Sequence, residues 1–479
     1  MYRVILLLLA LTFPGFAADP KPNIIFILAD DLGYGEVGCF GSKLIQTPNI
    51  DRMAREGIKL TQFYAGAPVC APSRSVLMTG LHTGHTRVRG NAGKANRAAQ
   101  NLRVEDVTVA ELLKKGGYAT ALIGKWGIGH EGSDGIPTRK GFDYFYGYLD
   151  QHHAHNPYPD FVMRNTEVVK LRNKIVAGSG SSKGETETEE HSGAGIAETP
   201  TDFVPDLMAA EALKWVEENK EWPFFLYWSF ITPHANNEGT KFGRGQEVPD
   251  LGPYADKDWP QADKAHASTI TRSDADIGRL LDLLKRLKLD ERTLVIFTSD
   301  NGHHKEGGNN PELFDANGPL RGLKRDMYEG GIRVPTIARW PGKITPGTES
   351  RQVGWFADFL PTACQLAGAA APEGLDGVSL VRSIQRDDLI ERPLLYWEFH
   401  EGGFSQALLM DGHWKAIRNK RRDAAIELYD LKTDLAEAKN VAAENPKLVE
   451  RARTLLEKEH TDSPDWPVKD PPAKKGAAR

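Results

Sequence analysis

Asn23-Ile24-Ile25-Phe26-Ile27-Leu28-Ala29-Asp30-Asp31 is the stretch of this chain that decides its fold. Its first seven residues form an almost entirely apolar run rich in β-branched side chains, which is typical of a strand buried on both faces of a parallel sheet. Comparable runs recur at 118–123, 224–231 and 293–298, with helical patterns between them. Strands that alternate with helices predict an α/β sandwich.

Polar side chains follow these strands at the point where each strand ends. Because ligands bind in the crevice at the carboxyl ends of the strands of an open α/β sheet, we expect these side chains to converge there. They are Asp30, Asp31, Lys125, His234, Asp300 and Asn301. The three carboxylates and the amide are hard oxygen ligands, which suit Ca²⁺ or Mg²⁺ rather than Zn²⁺. The sequence therefore predicts a Ca²⁺ site, with Mg²⁺ left open, at Asp30, Asp31, Asp300 and Asn301.

The length of the chain indicates two domains. It has 479 residues, 40% of them hydrophobic, which is enough for a large core. We predict a catalytic domain over 18–375, a small C-terminal α+β domain over 376–462 and a disordered tail over 463–479. The elements predicted for the smaller domain are strands at 394–399, 413–417 and 426–429 and a helix at 446–459.

Residues 1–17 have the features of a secretory signal peptide. Arg3 supplies the positive charge, Val4–Leu11 form an apolar run too short to span a bilayer, and Gly15-Phe16-Ala17 offers a small-residue cleavage site. An uncleaved membrane anchor is the alternative, and Pro14 argues against it. No other segment approaches transmembrane length, so we predict an exported protein, periplasmic or extracellular, without stable membrane insertion.

Charge and cysteine content argue against two further classes of protein. The formal net charge is −5, from 60 Lys and Arg against 65 Asp and Glu, and it becomes −6 once Arg3 leaves with the signal. This disfavours a nucleic-acid-binding surface, so any attraction for an anionic substrate must be local. An exported chain with only Cys39, Cys70 and Cys364 is not a disulfide scaffold. A bridge between Cys39 and Cys364 is left open.

A second informative stretch is Cys70-Ala71-Pro72-Ser73-Arg74, followed by Thr79-Gly80, which has the form C-x-P-S-R…T-G. We place it on a loop leading into a helix that starts near Ser75, whose N-terminal dipole favours anionic species. This motif makes the chain resemble the type I sulfatases of the alkaline phosphatase superfamily. The resemblance covers about residues 22–340 in the family's order and is looser beyond. It is also carried by 22–31, Gly124-Lys125-Trp126, Thr232-Pro233-His234, Ser299-Asp300-Asn301-Gly302 and 324–331.

The resemblance implies an alkaline-phosphatase-like fold, with a large mixed, mostly parallel sheet flanked by helices and a smaller C-terminal antiparallel-sheet domain. It also implies that a maturation enzyme oxidises Cys70 to formylglycine, whose hydrated form has two geminal hydroxyls. One hydroxyl attacks sulfur and displaces the alcohol. The other then loses its proton and expels sulfate, so that one hard step becomes two easier ones.

Residue roles are implied by the same resemblance. The metal ligands would be Asp30, Asp31, Asp300 and Asn301, with the formylglycine at Cys70 also contacting the metal. The sulfate contacts would be Lys125, His234 and Lys324, and the diol contact would be Arg74. His234 or Lys324 would protonate or stabilise the leaving oxygen.

One position departs from the family's pattern. The family commonly has G-K-W-H, whose His contacts the diol, and here Gly127 fills that place. His130, three residues further on, is one candidate replacement. Gln151 and His152, in a histidine-rich loop, are candidates for substrate contacts near the sulfate.

These expectations combine into an exported, Ca²⁺-dependent sulfatase that acts on a sulfated carbohydrate. Export and a long loop at 236–260 favour a carbohydrate over a small aryl sulfate; Tyr254 and Trp259 of that loop either stack on a sugar or anchor the loop. The nearest alternative is a formylglycine-dependent phosphonate monoester or phosphodiester hydrolase. An alternative of another class is an inactive sulfoglycan-binding protein, which the departure at Gly127 suggests.

Overall fold

A computed structural model describes residues 21–92, 94–180, 193–386 and 388–469. Within these residues fourteen strands form two sheets. The larger sheet contains β1 (Asn23–Asp30), β2 (Ile58–Tyr64), β3 (Ala119–Lys125), β4 (Tyr144–Tyr148), β5 (Phe161–Arg164), β6 (Glu167–Lys170), β7 (Phe224–Pro233), β8 (Thr293–Ser299), β9 (Thr336–Arg339) and β10 (Thr348–Trp355). The smaller sheet contains β11 (Leu394–Phe399), β12 (Ser405–Met410), β13 (Trp414–Arg418) and β14 (Glu427–Asp430). The helices are α1 (Pro48–Glu56), α2 (Cys70–Thr79), α3 (Val109–Lys115), α4 (Val204–Glu218), α5 (Gln261–Arg286), α6 (Pro311–Phe314), α7 (Glu329–Ile332), α8 (Phe359–Ala367), α9 (Val381–Arg386) and α10 (Pro446–Lys458).

The larger sheet has the strand order β10-β2-β9-β8-β1-β7-β3-β4-β5-β6. Its central strands β8, β1, β7, β3 and β4 are parallel to one another. By contrast, β9, β5 and β6 pair with their neighbours in antiparallel fashion. The sheet is therefore mixed and mostly parallel, as predicted. The carboxyl ends of β1, β3, β7 and β8 lie along one edge.

Strand β1 is buried on both faces, which confirms the interpretation of its apolar run. Ile24, Phe26 and Leu28 pack into a first core with α2, α3 and α8. Ile25 and Ile27 point the other way and pack into a second core with α1, α4 and α5. The larger sheet is thus the middle layer of a three-layer sandwich.

Helices α1 and α2 each have a proline in the first turn. Helix α1 begins at Pro48 and ends before Gly57. Helix α2 begins at Cys70 itself and not near Ser75, so this part of the prediction is wrong. Pro72 permits this earlier start because it lies in the first turn, where the N–H that proline lacks would have no partner within the helix.

The smaller sheet contains the three predicted strands and one more. Strands β11, β13 and β14 lie within one residue of their predicted limits, and α10 ends one residue earlier than predicted. Strand β12 is missing from the prediction because both of its faces are buried. Ala407 and Leu409 join the first core, whereas Leu408 and Met410 belong to a third core that includes residues of α10. A strand of this kind lacks the alternation by which a half-exposed strand is recognised.

The smaller sheet is fastened to the chain on both sides of α2. The indole N–H of Trp397 donates to the carbonyl oxygen of Ala65 at 2.9 Å, before the helix. After the helix, the backbone N–H of Glu398 donates to Thr83 Oγ1 at 2.7 Å, and Arg89 Nη1 donates to the Glu398 carboxylate at 2.9 Å. The first core also contains residues of both sheets. The two sheets therefore share one continuous packed interior.

The chain ends are described in part. The predicted signal peptide over 1–17 lies outside the described residues, as do residues 470–479 of the predicted tail. Residues 463–469 are described, and Trp466 is buried beside Gly90, so the ordered chain continues past residue 462. Across the described ranges no helix is both long and apolar enough to cross a bilayer. All three cysteines are described and unpaired, so no bridge joins Cys39 and Cys364.

Candidate active site

Nine predicted site residues meet at the carboxyl edge of the larger sheet. Six chain segments supply these residues. Four of them lie at the ends of β1, β3, β7 and β8, and the other two are the first turns of α2 and the loop between α6 and α7. Every side chain is almost completely buried; that of His234 is 3% exposed. The nine residues are Asp30, Asp31, Cys70, Arg74, Lys125, His234, Asp300, Asn301 and Lys324.

The acidic end of the site has the composition of a metal site. Asp30 Oδ1 and Asn301 Oδ1 are buried and have no hydrogen-bond partner among the described residues. Asn301 Nδ2 donates to Asp31 Oδ1 at 2.7 Å, and the Asp31 N–H donates to Asp300 Oδ1 at 3.1 Å. Burial and the neighbouring Asp30 raise the pKa of Asp300 to about 7. Crowded carboxylates and orphaned oxygens fit a hard divalent cation, which would supply the missing partners.

Three cations compensate these carboxylates. Lys125 Nζ donates to Asp30 Oδ2 at 2.7 Å, and Lys324 Nζ donates to Asp31 Oδ2 at 2.7 Å. Arg74 Nη2 donates to Asp300 Oδ2 at 2.8 Å. Burial alone would raise the pKa values of Asp30 and Asp31, but the charges of Lys125 and Lys324 hold them well below the usual range.

Arg74 is held rigidly by its partners. Its Nε and Nη2 both donate to Asp300 Oδ2, and its Nη1 donates to the carbonyl oxygen of Lys125 at 2.7 Å and to Ser229 Oγ at 2.5 Å. Four of the five N–H groups of the guanidinium are therefore engaged. The remaining Nη2 proton lies on the side of Asp30, whose Oδ1 is 3.7 Å away.

Cys70 is the first residue of α2 and is 2% exposed. One ligand atom from each of Asp30, Asp31, Cys70 and His234 lies within 4.8 Å of the others. Burial raises the pKa of the Cys70 thiol far above its usual value, although the charge of Lys125 opposes this effect. An unmodified Cys70 is therefore a protonated thiol, which is a poor nucleophile.

His234 is neutral, and the position of its proton is fixed. Its Nδ1 donates to the carbonyl oxygen of Ala235 at 2.7 Å, so Nε2 has a lone pair and accepts from Lys324 Nζ at 3.0 Å. Burial and the charge of Lys324 lower the pKa of His234 to about 3. The ring of His155 stacks on that of His234 at 4.6 Å between centroids and an interplanar angle of 11°.

The histidine-rich loop lies beside this cluster. Glu238 bridges two histidines of this loop, His152 and His155. Its Oε1 lies 2.8 Å from His152 Nε2, and its Oε2 lies 3.0 Å from His155 Nδ1. His152 thus reaches the cluster through Glu238 and His155. The carboxamide of Gln151 lies against Gly127.

The loop aromatics have a structural role. Tyr254 is fully buried, and its hydroxyl accepts from the Gln46 N–H at 2.7 Å. Trp259 stacks on Tyr254 at 5.6 Å and packs edge-on against Phe314. Of the two interpretations of this pair, the structure supports loop anchoring.

Four residues at or next to the site are absent from the sequence-based prediction. Ser229 is a lone hydroxyl in the apolar run of β7, which is a signal that sequence reasoning can use. Glu306 offers carboxylate oxygens to Lys324 at 3.5 Å and to Arg325, and neither it nor Glu238 belongs to a recognisable motif. His155 and Glu238 become visible only once the two loops are folded together.

Comparisons with known proteins place the chain in a family. The family model named "Sulfatase" matches residues 22–369, and a model named "N-sulphoglucosamine sulphohydrolase, C-terminal" matches 323–462. The chain belongs to the sulfatase family. It is an enzyme, a sulfuric ester hydrolase.

Named relatives and solved structures agree with this assignment. The N-acetylgalactosamine-6-sulfatase of Canis lupus familiaris is 31% identical over 83% of this chain and 72% of its own length. The steryl-sulfatase of Mus musculus is 32% identical over 78% of this chain and 66% of its own. The structure of Ps i-CgsB with k-i-k-neocarrahexaose is 27% identical, with a TM-score of 0.73 over 94% of this sulfatase and 95% of that chain. The phosphonate monoester hydrolase of Agrobacterium radiobacter shares the fold alone, at 20% identity and a TM-score of 0.60 over 92% and 95% of the two chains.

Proposed function

We propose that this sulfatase is exported and releases inorganic sulfate from a sulfated carbohydrate, using formylglycine made from Cys70 and a bound Ca²⁺. The observation that carries the proposal is the position of Cys70, at the start of a buried helix beside three carboxylates and three cations. The carbohydrate substrate is supported by the N-acetylgalactosamine-6-sulfatase relatives and by the neighbour solved with a neocarrahexaose.

The metal ligands would be Asp30, Asp31, Asp300 and Asn301. The unpartnered Oδ1 atoms of Asp30 and Asn301 support this assignment, and an all-oxygen set with several carboxylates favours Ca²⁺ over Mg²⁺. When bound, the cation would polarise the sulfate oxygens and lower the pKa of the attacking hydroxyl.

The charges of the site explain how an acidic protein attracts an anion. With all groups ionised, Asp30, Asp31 and Asp300 balance Arg74, Lys125 and Lys324. A divalent cation would therefore leave the site with a local charge of +2, although the whole chain carries −5. A sulfate monoester has one negative charge, and the attraction acts inside a buried pocket where solvent screens it little.

Oxidation of Cys70 to formylglycine would replace the protonated thiol by a hydrated aldehyde whose hydroxyl can attack sulfur. Arg74 orients the Asp300 carboxylate and the Lys125 carbonyl group through its hydrogen bonds. Its remaining N–H is available on the side of Asp30 and Cys70. Lys125 and Lys324 each direct an ammonium group into the same space. The side chains are set in place before substrate arrives, as electrostatic preorganisation requires.

The proton donor to the leaving oxygen is Lys324 in this arrangement. His234 Nε2 accepts from Lys324 and has no proton to give, whereas the Lys324 ammonium is the charged donor in the pair. Burial opposes the charge on Lys324, but Asp31 outweighs burial and raises the pKa of Lys324. His234 then orients the ammonium, and the negative charge that develops on the leaving oxygen makes the proton transfer favourable.

The proposal is tested by ion chromatography of the sulfate, phosphate and phosphonate products released from a panel of sulfated glycans, an aryl sulfate and phosphonate esters. The protein is co-expressed with a maturation enzyme, checked for formylglycine by mass spectrometry and compared with Cys70→Ala. Sulfate released from a glycan only by the parent supports the proposal. Preferential cleavage of the phosphonate ester, or glycan binding without turnover by the matured protein, overturns it.

A further inference from the structure

The segments after β3 and β4 run side by side at the edge of the site. Lys125 pairs with Tyr148 in the parallel register of the two strands. The pairing continues beyond the strands, since the Trp126 N–H donates to Tyr148 O at 2.9 Å and the Gly127 N–H donates to Leu149 O at 3.0 Å. The backbone at Gly127 is thus held in place two residues after Lys125, whose ammonium group donates to the Asp30 carboxylate.

Gly127 leaves a space that Gln151 fills. A Cβ atom at Gly127 would lie 2.3 Å from Nε2 and 2.8 Å from Cδ of Gln151, which is closer than such atoms approach. The φ angle of Gly127 is +80°, a conformation that suits glycine. A side chain at 127 and the carboxamide of Gln151 in its present position therefore exclude each other.

The carboxamide of Gln151 is unsatisfied in a way that points to a ligand. Both Nε2 and Oε1 are buried, and neither has a hydrogen-bond partner in the described chain. Buried amides are nearly always paired, because an unpaired polar atom loses its water without compensation. An amide held in this state beside Gly127, two residues along the chain from Lys125 of the site, is ready to receive a partner that arrives with the substrate.

Two other polar side chains near Gly127, those of His130 and Gln100, already have hydrogen-bond partners. His130 Nδ1 lies 2.6 Å from Asn101 Oδ1, and His130 Nε2 lies 3.1 Å from Asp150 Oδ2, so both ring nitrogens are engaged. Gln100 Nε2 donates to the Gly127 carbonyl at 2.7 Å, and Gln100 Oε1 accepts from the Ala92 N–H. His130 is therefore not the replacement that its sequence position suggests.

We propose that Gln151 takes the place of the side chain missing at Gly127 and that its Nε2 donates a hydrogen bond to an oxygen of the substrate's sulfate group. This inference rests on the proposed function for the identity of the substrate. A neutral amide exchanges no proton, so Gln151 binds and orients the sulfate and stabilises charge without acting as an acid or a base. With glycine at 127 and glutamine at 151, the site still has one hydrogen-bond donor at this position.

Binding of inorganic sulfate tests the inference without turnover. Isothermal titration calorimetry with sulfate is run on Ca²⁺-loaded Cys70→Ala protein, alone and combined with Gln151→Ala, Gln151→Glu or the matched control Gln365→Ala, a glutamine on the exposed side of α8. Gln151→Ala should weaken sulfate binding about tenfold or more, which is the effect of one hydrogen bond to a charged group. Gln151→Glu should weaken it further because it sets a negative charge against the anion, and the control should match the parent.

Thermal melting separates this role from a structural one. An amide that only supported the fold would lower the melting temperature when removed, whereas Gln151→Ala should leave it unchanged or raise it, because two unpaired buried atoms are lost. Unchanged sulfate affinity, or a lower melting temperature that accounts for weaker binding, overturns the inference.

Turnover by the matured protein separates the inference from the proposed function. If the parent releases sulfate and Gln151→Ala retains kcat/KM within threefold, the inference is wrong and the function stands. If the parent hydrolyses no sulfate ester but sulfate affinity still depends on Gln151, the function is wrong and the sulfate contact stands.

Discussion

Replacing Lys324 with methionine removes one charge from the centre of the site while keeping most of the side-chain volume. Its Nζ lies 2.7 Å from Asp31 Oδ2, and at an effective dielectric constant of about 20 two unit charges at this distance attract by about 6 kcal/mol. Desolvation offsets part of this attraction, and breaking a buried pair typically costs about 3–5 kcal/mol of stability. Bound Ca²⁺ would compensate Asp31 in the variant, so the stability loss should be smaller in the Ca²⁺-loaded protein.

Catalysis should not recover with Ca²⁺, because the proton donor to the leaving oxygen is gone. Loss of one preorganised donor lowers kcat by about 10²–10³, or about 2.7–4 kcal/mol. The assay is sulfate release by ion chromatography from the sulfated saccharide that the parent hydrolyses fastest, with kcat and KM determined separately. Lys174→Met is the matched control, since among the described residues its Nζ forms an exposed ion pair with Glu198 alone, at 2.9 Å. A folded, fully matured Lys324→Met protein that retains more than a tenth of the parent kcat would refute the assignment.

Three further outcomes are expected. Cys70→Ala should release no sulfate yet melt within a few degrees of the parent, because a buried side chain that small leaves little cavity; turnover by this variant would contradict a formylglycine mechanism. Chelation with EGTA should lower both activity, measured as sulfate release, and the melting temperature, measured by differential scanning fluorimetry. Addition of Ca²⁺ should restore both in the parent, whereas the melting temperature of Asp30→Asn should not respond to Ca²⁺. Burial and Glu329 outweigh Lys415 and raise the pKa of Glu437 to about 7, so its contribution to stability is present below pH 4.5 and is lost as the pH rises through 7. The free energy of unfolding of Glu437→Gln relative to the parent, obtained from unfolding curves, should therefore be about 1–3 kcal/mol more favourable at pH 8 than at pH 5, and an equal difference at both pH values would contradict this.

The sequence predicts the larger sheet well because its central strands are encoded locally. The run before Asp30 and the run before Asp300 each combine β-branched residues with an abrupt polar end, and this pattern needs no knowledge of neighbours. Strand β12 does not have it, since its burial on both faces is created by a helix and a core that come from distant parts of the chain. The early start of α2 is likewise a matter of context, because a loop and a first helical turn are equally compatible with Pro72.

The features of the site likewise divide into those that the sequence predicts and those that depend on tertiary contacts. Asp31 and Lys324 are separated by 293 residues, and sequence reasoning connects them only through motif order, yet their side chains form a direct ion pair. The engagement of His130 by Asn101 and Asp150 has no trace in the sequence, because it depends on how two loops pack. The same holds for the space at Gly127: the missing side chain is visible in the sequence, but the residue that occupies its volume is not.

The attachment of β11 on both sides of α2 would, under the proposed function, limit the time available for modifying Cys70. All ten residues of α2 are buried, so under the proposed function a maturation enzyme would reach Cys70 only before the fold is complete. Leu394, the first residue of β11, is 324 residues further along the chain than Cys70. At about 5–20 residues per second the ribosome needs roughly 16–65 s to cover that distance. During this interval the segments on either side of the helix lack their partners Trp397 and Glu398, and the proposed modification of Cys70 would take place then.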